Sequence, residues 1–482
     1  MLDWLAHRAA ISPQNVALIF QEQPWSYAAL NRLVANLCAQ LATAGVQAGQ
    51  HVAVLMPNRV EYVGVVHALA RLGAVLVPLN LRLTPAELRW QIKQANCVWL
   101  VCNHDTAATA AGLECPTLNL PALPPASNAQ AWDSRPLNLE AVQGVLFTSG
   151  TTGRPKGAML TFNNHLWGAT ASAFRLGTGP ADRWLLCMPL YHVGGIAILF
   201  RCCLYGTAVV LQAGFETGAV ARALKTEGVS LVSLVPTMLH RLLESEPDCL
   251  TGSALRCILL GGAAASPTLQ ERCRRLNLPV ATTYGLTEAA SQVATALPEA
   301  ATRLPGSVGR PLMFLQVQIV DQARQSLPAG ETGEILVAGP TVMRGYYRQA
   351  RATAQTVRNG WLHTGDMGYL DTGGNLWVVQ RRADLIVSGG ENVYPVEVEN
   401  LLRQHPAVVD ACVVGLADET WGQRVAAVVV AGQPGLSESE LVAFCRERLA
   451  GYKQPRLIRF VDSLPLTASG KVRRGEVEKL LG

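Results

Sequence analysis

The sequence predicts an α/β protein: a large N-terminal domain of layered βαβ sheets carries a β-rich subdomain and is followed by a small α+β C-terminal domain. Three observations predict it. Helical and strand periods alternate from residue 26 to about residue 300, the pattern of βαβ units around a mostly parallel sheet. Residues 306–382 switch to short strands and turns, and the last hundred residues hold a capped helix among apolar strands. A chain of 482 residues also exceeds what one hydrophobic core usually supports.

Taken in order, Ser26 is placed to cap a helix with Leu30, Leu33, Val34, Leu37 and Leu41 on one face. "HVAVLMP" reads as a buried strand, "NRVEYVGVVHALARLGA" as a helix and "VLVPLN" as the next strand, and "PAELRWQIKQAN" with "VWLVC" repeats the unit. Residues 113–140, with Pro116, Pro121, Pro124, Pro125 and Pro136, lack periodicity and read as a surface connector. "AVQGVLF" resumes as a strand. Near the C-terminus Ser437 and Glu440 form a capping box ahead of Leu441, Phe444, Cys445 and Leu449, flanked by the strands "ACVVGL", "RVAAVVVAG" and "RLIRFVDSL".

A chain 49% hydrophobic and 16% charged is not a disordered one. Forty basic and thirty-five acidic residues are spread without runs, so neither a nucleic-acid arm nor a polybasic membrane anchor is present and a small-molecule partner is expected. Asp3, His7 and Arg8 interrupt the stretch where a secretory signal needs its apolar core, and no uncharged run reaches about 18 residues, so no membrane span and a cytoplasmic location are expected. Twelve cysteines without a CxxC pair or zinc-like spacing read as reduced, buried thiols, Cys202 and Cys203 among them as core residues. A homo-oligomer stays open.

The stretch "LFTSGTTGRPKGAML", 146–160, carries the chemistry. It is not a Walker P-loop, because Lys156 is followed by Gly157 and Ala158 rather than by a hydroxyl that could hold magnesium. Its glycines still let backbone amides converge, Thr148, Ser149, Thr151 and Thr152 add hydroxyl donors, and Lys156 adds a positive charge, a set suited to an anion. Taken alone, the same residues also suit a flexible, solvated strand-to-helix turn.

"TSGTTGRPKG", 148–157, resembles the phosphate-loop signature of the adenylate-forming superfamily, which includes acyl- and aryl-CoA synthetases, luciferases and peptide-synthetase adenylation domains. "YGLTE" at 284–288, "TGD" at 364–366, "RRADLIVSGGENVYP" at 381–395 and "SGK" at 469–471 follow in that superfamily's order, so the resemblance spans nearly the whole chain. It implies an ATP- and Mg2+-dependent acid-CoA ligase that forms an acyl-adenylate and transfers the acyl group to CoA. It also implies a large nucleotide- and acyl-binding domain, 1–382, and a small mobile domain, 383–482, that rotates between the two half-reactions.

By that resemblance Thr148, Ser149, Gly150, Thr151, Thr152, Gly153 and Lys156 hold the β- and γ-phosphates of ATP, Thr287 touches the α-phosphate and Glu288 binds magnesium. Tyr284 lies against the adenine, with Gly262, Ala263, Ala264, Thr283 and Gly285 around it, while Asp366 and Arg381 take the ribose hydroxyls. Lys471 bridges the attacking carboxylate and the α-phosphate, and Gly389 and Gly390 belong to the face presented for thioester formation. Alone, an aspartate after Thr-Gly is ordinarily a turn residue and a lysine near a C-terminus a solvated charge; the ordered constellation reverses those odds. Two residues past Arg381, relatives usually carry Asp or Lys as the hinge. This chain has Ala383 and then Asp384.

The acid is read from "MPLYHVGGIAILF", where His192, by resemblance, contacts the carboxylate being activated. The stretch lacks the aspartate with which amino-acid-activating relatives bind an amino group, and it is most like the aryl-CoA ligase branch. Within that branch, "DRWLLCMPLYHVGGIAILFRCCLYG", "RCILLGGAAAS" and "YGLTEAASQVAT" are most like ligases whose acid bears a second, spectator carboxylate. Its candidate donors are Ser291, Gln292, Thr283 and Arg201, with Arg201 read first as a surface arginine whose stem lies along its helix. A different aryl or medium-chain acid is the alternative.

Overall fold

The computed structural model describes residues 3–120, 136–148, 155–380, 385–433, 435–465 and 472–482. Two compact units emerge, one of Met1–Leu81, Gln91–Leu146 and Gly157–Val379, the other of Arg82–Trp90, Phe147–Lys156 and Gln380–Gly482.

The larger unit is layered as its alternating periods predict. A nine-stranded sheet runs Arg310–Pro311, Ser291–Ala296, Val280–Leu286, Cys257–Leu260, Leu231–Leu234, Arg183–Leu186, Ala208–Leu211, Val16–Phe20, Gln23–Ser26. Its six central strands are parallel and both margins antiparallel. A seven-stranded sheet runs Gly345–Tyr346, Lys156–Thr161, Val142–Thr148, Val75–Pro78, His51–Leu55, Cys97–Cys102, Thr117–Asn119. The last of these corrects the connector reading: Thr117–Asn119 pairs in parallel with Leu100–Cys102 despite the prolines around it, because an edge strand needs only one hydrogen-bonded side. A third, antiparallel sheet of Gln316–Val320, Gly333–Ala338, Val357–Arg358, Trp361–Leu370 and Leu376–Gln380 is the β-rich part.

Helices fill the space around the sheets. Ser26 accepts from Ala29 N at 3.2 Å and starts the helix Tyr27–Thr43, whose Leu30, Val34, Leu37 and Leu41 are buried. The helices Val60–Leu72 and Val193–Tyr205 are buried at eleven and ten of their thirteen positions respectively, so neither has a solvent face. The buried Arg71 is paired: its Nε lies 2.6 Å from Asp3 Oδ2 and its Nη2 donates to Asn31 Oδ1.

The smaller unit holds a sheet ordered Glu391–Val393, Ile386–Ser388, Gly422–Ala431, Val408–Asp418, with Leu457–Val461 beside Gly422–Ala431. The Ser437/Glu440 capping box forms as its spacing predicts and starts the helix Glu438–Arg446. Lys453, 3% exposed, places Nζ at 2.7 Å from both Glu87 Oε1 and Glu397 Oε1. Burial opposes the ammonium charge, but the two carboxylates outweigh it and hold the Lys453 pKa above its ordinary value. All twelve cysteines are free and ten are fully buried. Burial pushes every one of their thiols up, Cys38, Cys187, Cys202 and Cys257 to about 12.

Asp3 both neutralises Arg71 and accepts from Ala6 N at the start of the helix Trp4–Ile11. Asp3→Ala leaves a buried guanidinium without its charge partner and is expected to lower unfolding free energy by about 3 kcal/mol, measured by urea titration of the large unit's transition.

Candidate active site

The strand Val142–Thr148 ends at the start of the anion-loop motif and the strand Lys156–Thr161 leaves it. Thr148 Oγ1 donates to Lys156 O at 3.4 Å, closing the loop at its base. Ser149, Gly150, Thr151, Thr152 and Gly153 lie outside the described residues, as do Arg381, Ala383, Asp384 and Lys471. Beyond the loop, Thr161 and Asn164 form a reciprocal cap that starts the helix Phe162–Leu176.

The motif residues 283–288 come from the strand Val280–Leu286 and the 3-10 turn Thr287–Ala289. Tyr284 is buried, and its hydroxyl donates to Asp366 Oδ2 at 2.6 Å, so the two residues expected at the base and the sugar are joined directly. Asp366 stands within the strand Trp361–Leu370, not in a turn or cap, and its amide donates to Thr364 Oγ1. Gly285 is required by contact: a Cβ there would stand 1.8 Å from Ser291 O. Gly262, Ala263 and Ala264 follow the strand Cys257–Leu260, and Gly262 takes φ +83°. Thr283 Oγ1 donates to Ala294 O at 2.9 Å and shares a hydrogen bond with Thr295.

Thr287 is half-buried at the head of its turn. Glu288 is 8% exposed, with Oε1 accepting from the Tyr346 hydroxyl at 2.9 Å and its carbonyl accepting from Met343 N at 2.8 Å. No group of three or more His, Cys, Asp or Glu side chains able to hold a metal occurs among the described residues. A single carboxylate suits Mg2+ shared with phosphate oxygens and water, which seldom uses an all-protein cage.

His192, expected to contact the acid, is the N-cap of the helix Val193–Tyr205, its ring 4.7 Å from that of Tyr191. Gly195 allows this helix to start against the preceding loop, since a Cβ would stand 2.4 Å from Pro189 O. Arg201, on the same helix, is not a surface arginine. It is 2% exposed, and the reason is legible in hindsight: "VGGIAILFRCCLY" has no polar face for the side chain to reach toward. Its Nη2 donates to Ser291 Oγ at 3.3 Å and its guanidinium lies 5.5 Å from the Trp184 ring centre. Arg201 Nε and Gln292 Oε1 have no hydrogen-bond partner among the described residues. Neither does Arg201 have a carboxylate within ion-pair distance among them. Of the four candidate donors, Arg201 and Ser291 meet, while Gln292 and Thr283 both bond to Thr295.

The smaller unit contributes a cavity that sequence reasoning missed. About 250 Å³ in volume, it is lined by Arg82, Arg424, Arg456, Tyr452, Trp421 and Ser388. Gly389, at φ +59°, would meet the Trp421 ring with any Cβ, so the Gly389-Gly390 turn lies beside this lining. No sequence signal groups three arginines spread from position 82 to 456. On either side of the undescribed segment with Lys471, Arg473 N donates to Pro465 O at 2.8 Å, and Arg474 lies 2.8 Å from the buried Glu399.

The AMP-binding enzyme model matches residues 5–347, and the AMP-binding enzyme C-terminal domain model matches residues 397–471. The chain belongs to the AMP-binding enzyme family. Within that family it is 42% identical to the 2-succinylbenzoate-CoA ligase of Bacillus mycoides, over 100% of this chain and 99% of the relative. A double mutant of the Bacillus subtilis o-succinylbenzoate CoA synthetase bound to the product analogue OSB-NCoA aligns with a TM-score of 0.94 at 38% identity, covering 99% of this chain and 98% of that one. The same B. subtilis enzyme in complex with ATP and magnesium ion aligns with a TM-score of 0.76 at 38% identity, covering 99% of each chain. As in the adenylate-forming resemblance, the AMP-binding architecture is α/β with layered sheets, and no described helix is long and apolar enough to cross a membrane.

One property of this AMP-binding chain is set by burial beside Arg201. His165, whose Nε2 hydrogen-bonds Gln143 Oε1 at 3.1 Å, is pushed down to about 3 by burial and then by the Arg201 charge. Burial lowers His67 likewise. Both are neutral in the folded state, so their contribution to stability is full above pH about 6.5, where the unfolded histidines are neutral too. It is lost as the pH falls toward the folded values, because the unfolded chain then binds protons that the native one refuses. Unfolding free energy is expected to drop below pH 6.5 by up to about 1.4 kcal/mol per pH unit for each histidine. Denaturant titrations from pH 7.5 to 5 check it, with His165→Gln giving the shallower slope.

Proposed function

We propose that the protein is a 2-succinylbenzoate-CoA ligase that activates o-succinylbenzoate with ATP and transfers it to CoA, a step of menaquinone biosynthesis. The observation that carries the choice of acid is the buried Arg201 beside Ser291, without a carboxylate partner among the described residues. A desolvated guanidinium is costly to keep unpaired, and a dicarboxylic acid supplies the missing charge with one group while the other reacts.

In the first half-reaction the carboxylate near His192 attacks the α-phosphorus and diphosphate leaves. No general base is needed, since the acid is already ionised at neutral pH. The barrier is electrostatic: an anion approaches a polyanion, so the site must supply positive charge and oriented donors. Thr148, Ser149, Gly150, Thr151, Thr152, Gly153 and Lys156 hold the β- and γ-phosphates, Thr287 the α-phosphate, and Lys471 bridges it to the incoming carboxylate. Glu288 holds Mg2+, which when bound neutralises phosphate charge. Tyr284, Thr283, Gly285, Gly262, Ala263 and Ala264 enclose the adenine, and Asp366 with Arg381 takes the ribose hydroxyls.

In the second half-reaction the CoA thiol loses its proton to solvent, attacks the acyl carbonyl as the thiolate and displaces AMP. The small domain, 383–482, rotates so that Lys471 withdraws and Gly389-Gly390 faces the acyl-adenylate. Arg82, Arg424 and Arg456 suit the phosphates at the nucleotide end of CoA, with Trp421 and Tyr452 as apolar walls.

Diphosphate release measured with o-succinylbenzoate, benzoate and octanoate tests the acid. Wild-type protein is expected to favour o-succinylbenzoate by at least about 100-fold in kcat/KM, and Arg201→Met to lose most of that preference while using benzoate almost as before. Preference for benzoate or octanoate by the wild type would exclude the assignment. Assayed separately, the half-reactions should dissociate: Lys471→Ala abolishes adenylation yet still converts supplied acyl-adenylate to thioester, whereas Arg456→Ala raises the KM for CoA and leaves adenylation intact. Equal losses in both half-reactions for Lys471→Ala would contradict the rotation.

A further inference from the structure

We infer that Tyr346 is a positioning residue for magnesium, acting through Glu288; this rests on the reading that Glu288 holds the ion. The phenol donates to Glu288 Oε1 at 2.9 Å with both side chains buried, so it limits rotation of the carboxylate and fixes where its oxygens stand. The backbone repeats the constraint, because Met343 N donates to Glu288 O at 2.8 Å. Glu288 is thus held at main chain and side chain by one short segment.

That segment is itself clamped. Gly345 and Tyr346 pair with Met159 and Ala158 of the strand that leaves the anion loop, and Arg344 N and Tyr347 N donate to Met159 O and Gly157 O. From the other side Tyr346 N donates to Thr353 Oγ1 at 2.9 Å. Gly345, at φ +141°, lets the Thr353 side chain approach, since a Cβ would stand 2.6 Å from Thr353 Cγ2. A side chain needed only for packing does not require a hydroxyl. Here the hydroxyl is spent on the one carboxylate assigned to the cation.

Calorimetric titration of Mg2+ into protein saturated with α,β-methylene-ATP tests the role without turnover. Tyr346→Phe, which deletes only the hydroxyl, is expected to weaken Mg2+ binding about 10-fold with the melting temperature within about 3 °C of wild type. Adding it to Glu288→Gln should weaken binding no further, because the hydroxyl acts through that carboxylate. Wild-type Mg2+ affinity in Tyr346→Phe, with or without a lowered melting temperature, would overturn the inference, as would additive losses in the double variant. Wild-type affinity in Glu288→Gln would instead remove the metal assignment itself, and the inference with it.

Discussion

Two residues of antiparallel pairing, Gly345 with Met159 and Tyr346 with Ala158, are the contact on which the geometry of Glu288 rests. They place a short segment so that the Glu288 turn is fixed from both its carbonyl and its carboxylate. A carboxylate on an unsupported 3-10 turn would sample many orientations, a loss for any role that needs its charge at one place. The seven-stranded sheet therefore does more than fill a layer. Its margin strand supplies the frame for a residue more than a hundred positions away from the anion loop in sequence.

Charge in the interior is handled in two contrasting ways. Asp3 with Arg71, and Glu87 and Glu397 with Lys453, are closed arrangements in which each buried cation meets at least one carboxylate. Arg201 is an open one, answered by Ser291 and an indole face but by no carboxylate among the described residues. The first kind is what folding alone favours, since an unpaired interior charge is expensive. The second makes sense when the balancing charge arrives with a ligand.

Local rules transfer well to this chain. The Ser26 cap, the Ser437/Glu440 box and the alternation of strands with helices all form where residue type and period place them, because each is decided within about ten residues. The anion-loop motif was legible as chemistry, and its order with later motifs as a family. What spacing does not encode is which distant side chains meet. The Tyr284-Asp366 and Tyr346-Glu288 bonds, and the three arginines around one cavity, depend on sheet order rather than on any pattern along the chain. Arg201 departs from the sequence expectation for a more instructive reason: an arginine prefers the surface, but its helix has none, and the environment of the helix overrides the habit of the residue.

The cysteines take on a different meaning once an acyl-adenylate and a thioester are among the species handled. Both are acyl donors that a thiolate attacks, and this chain carries twelve thiols of its own. Each is held by burial in its protonated form at neutral pH, and ten have no solvent-facing surface to speak of. Buried and protonated, these thiols are poor nucleophiles toward either acyl donor, unlike a thiol that reaches the acyl group from solvent.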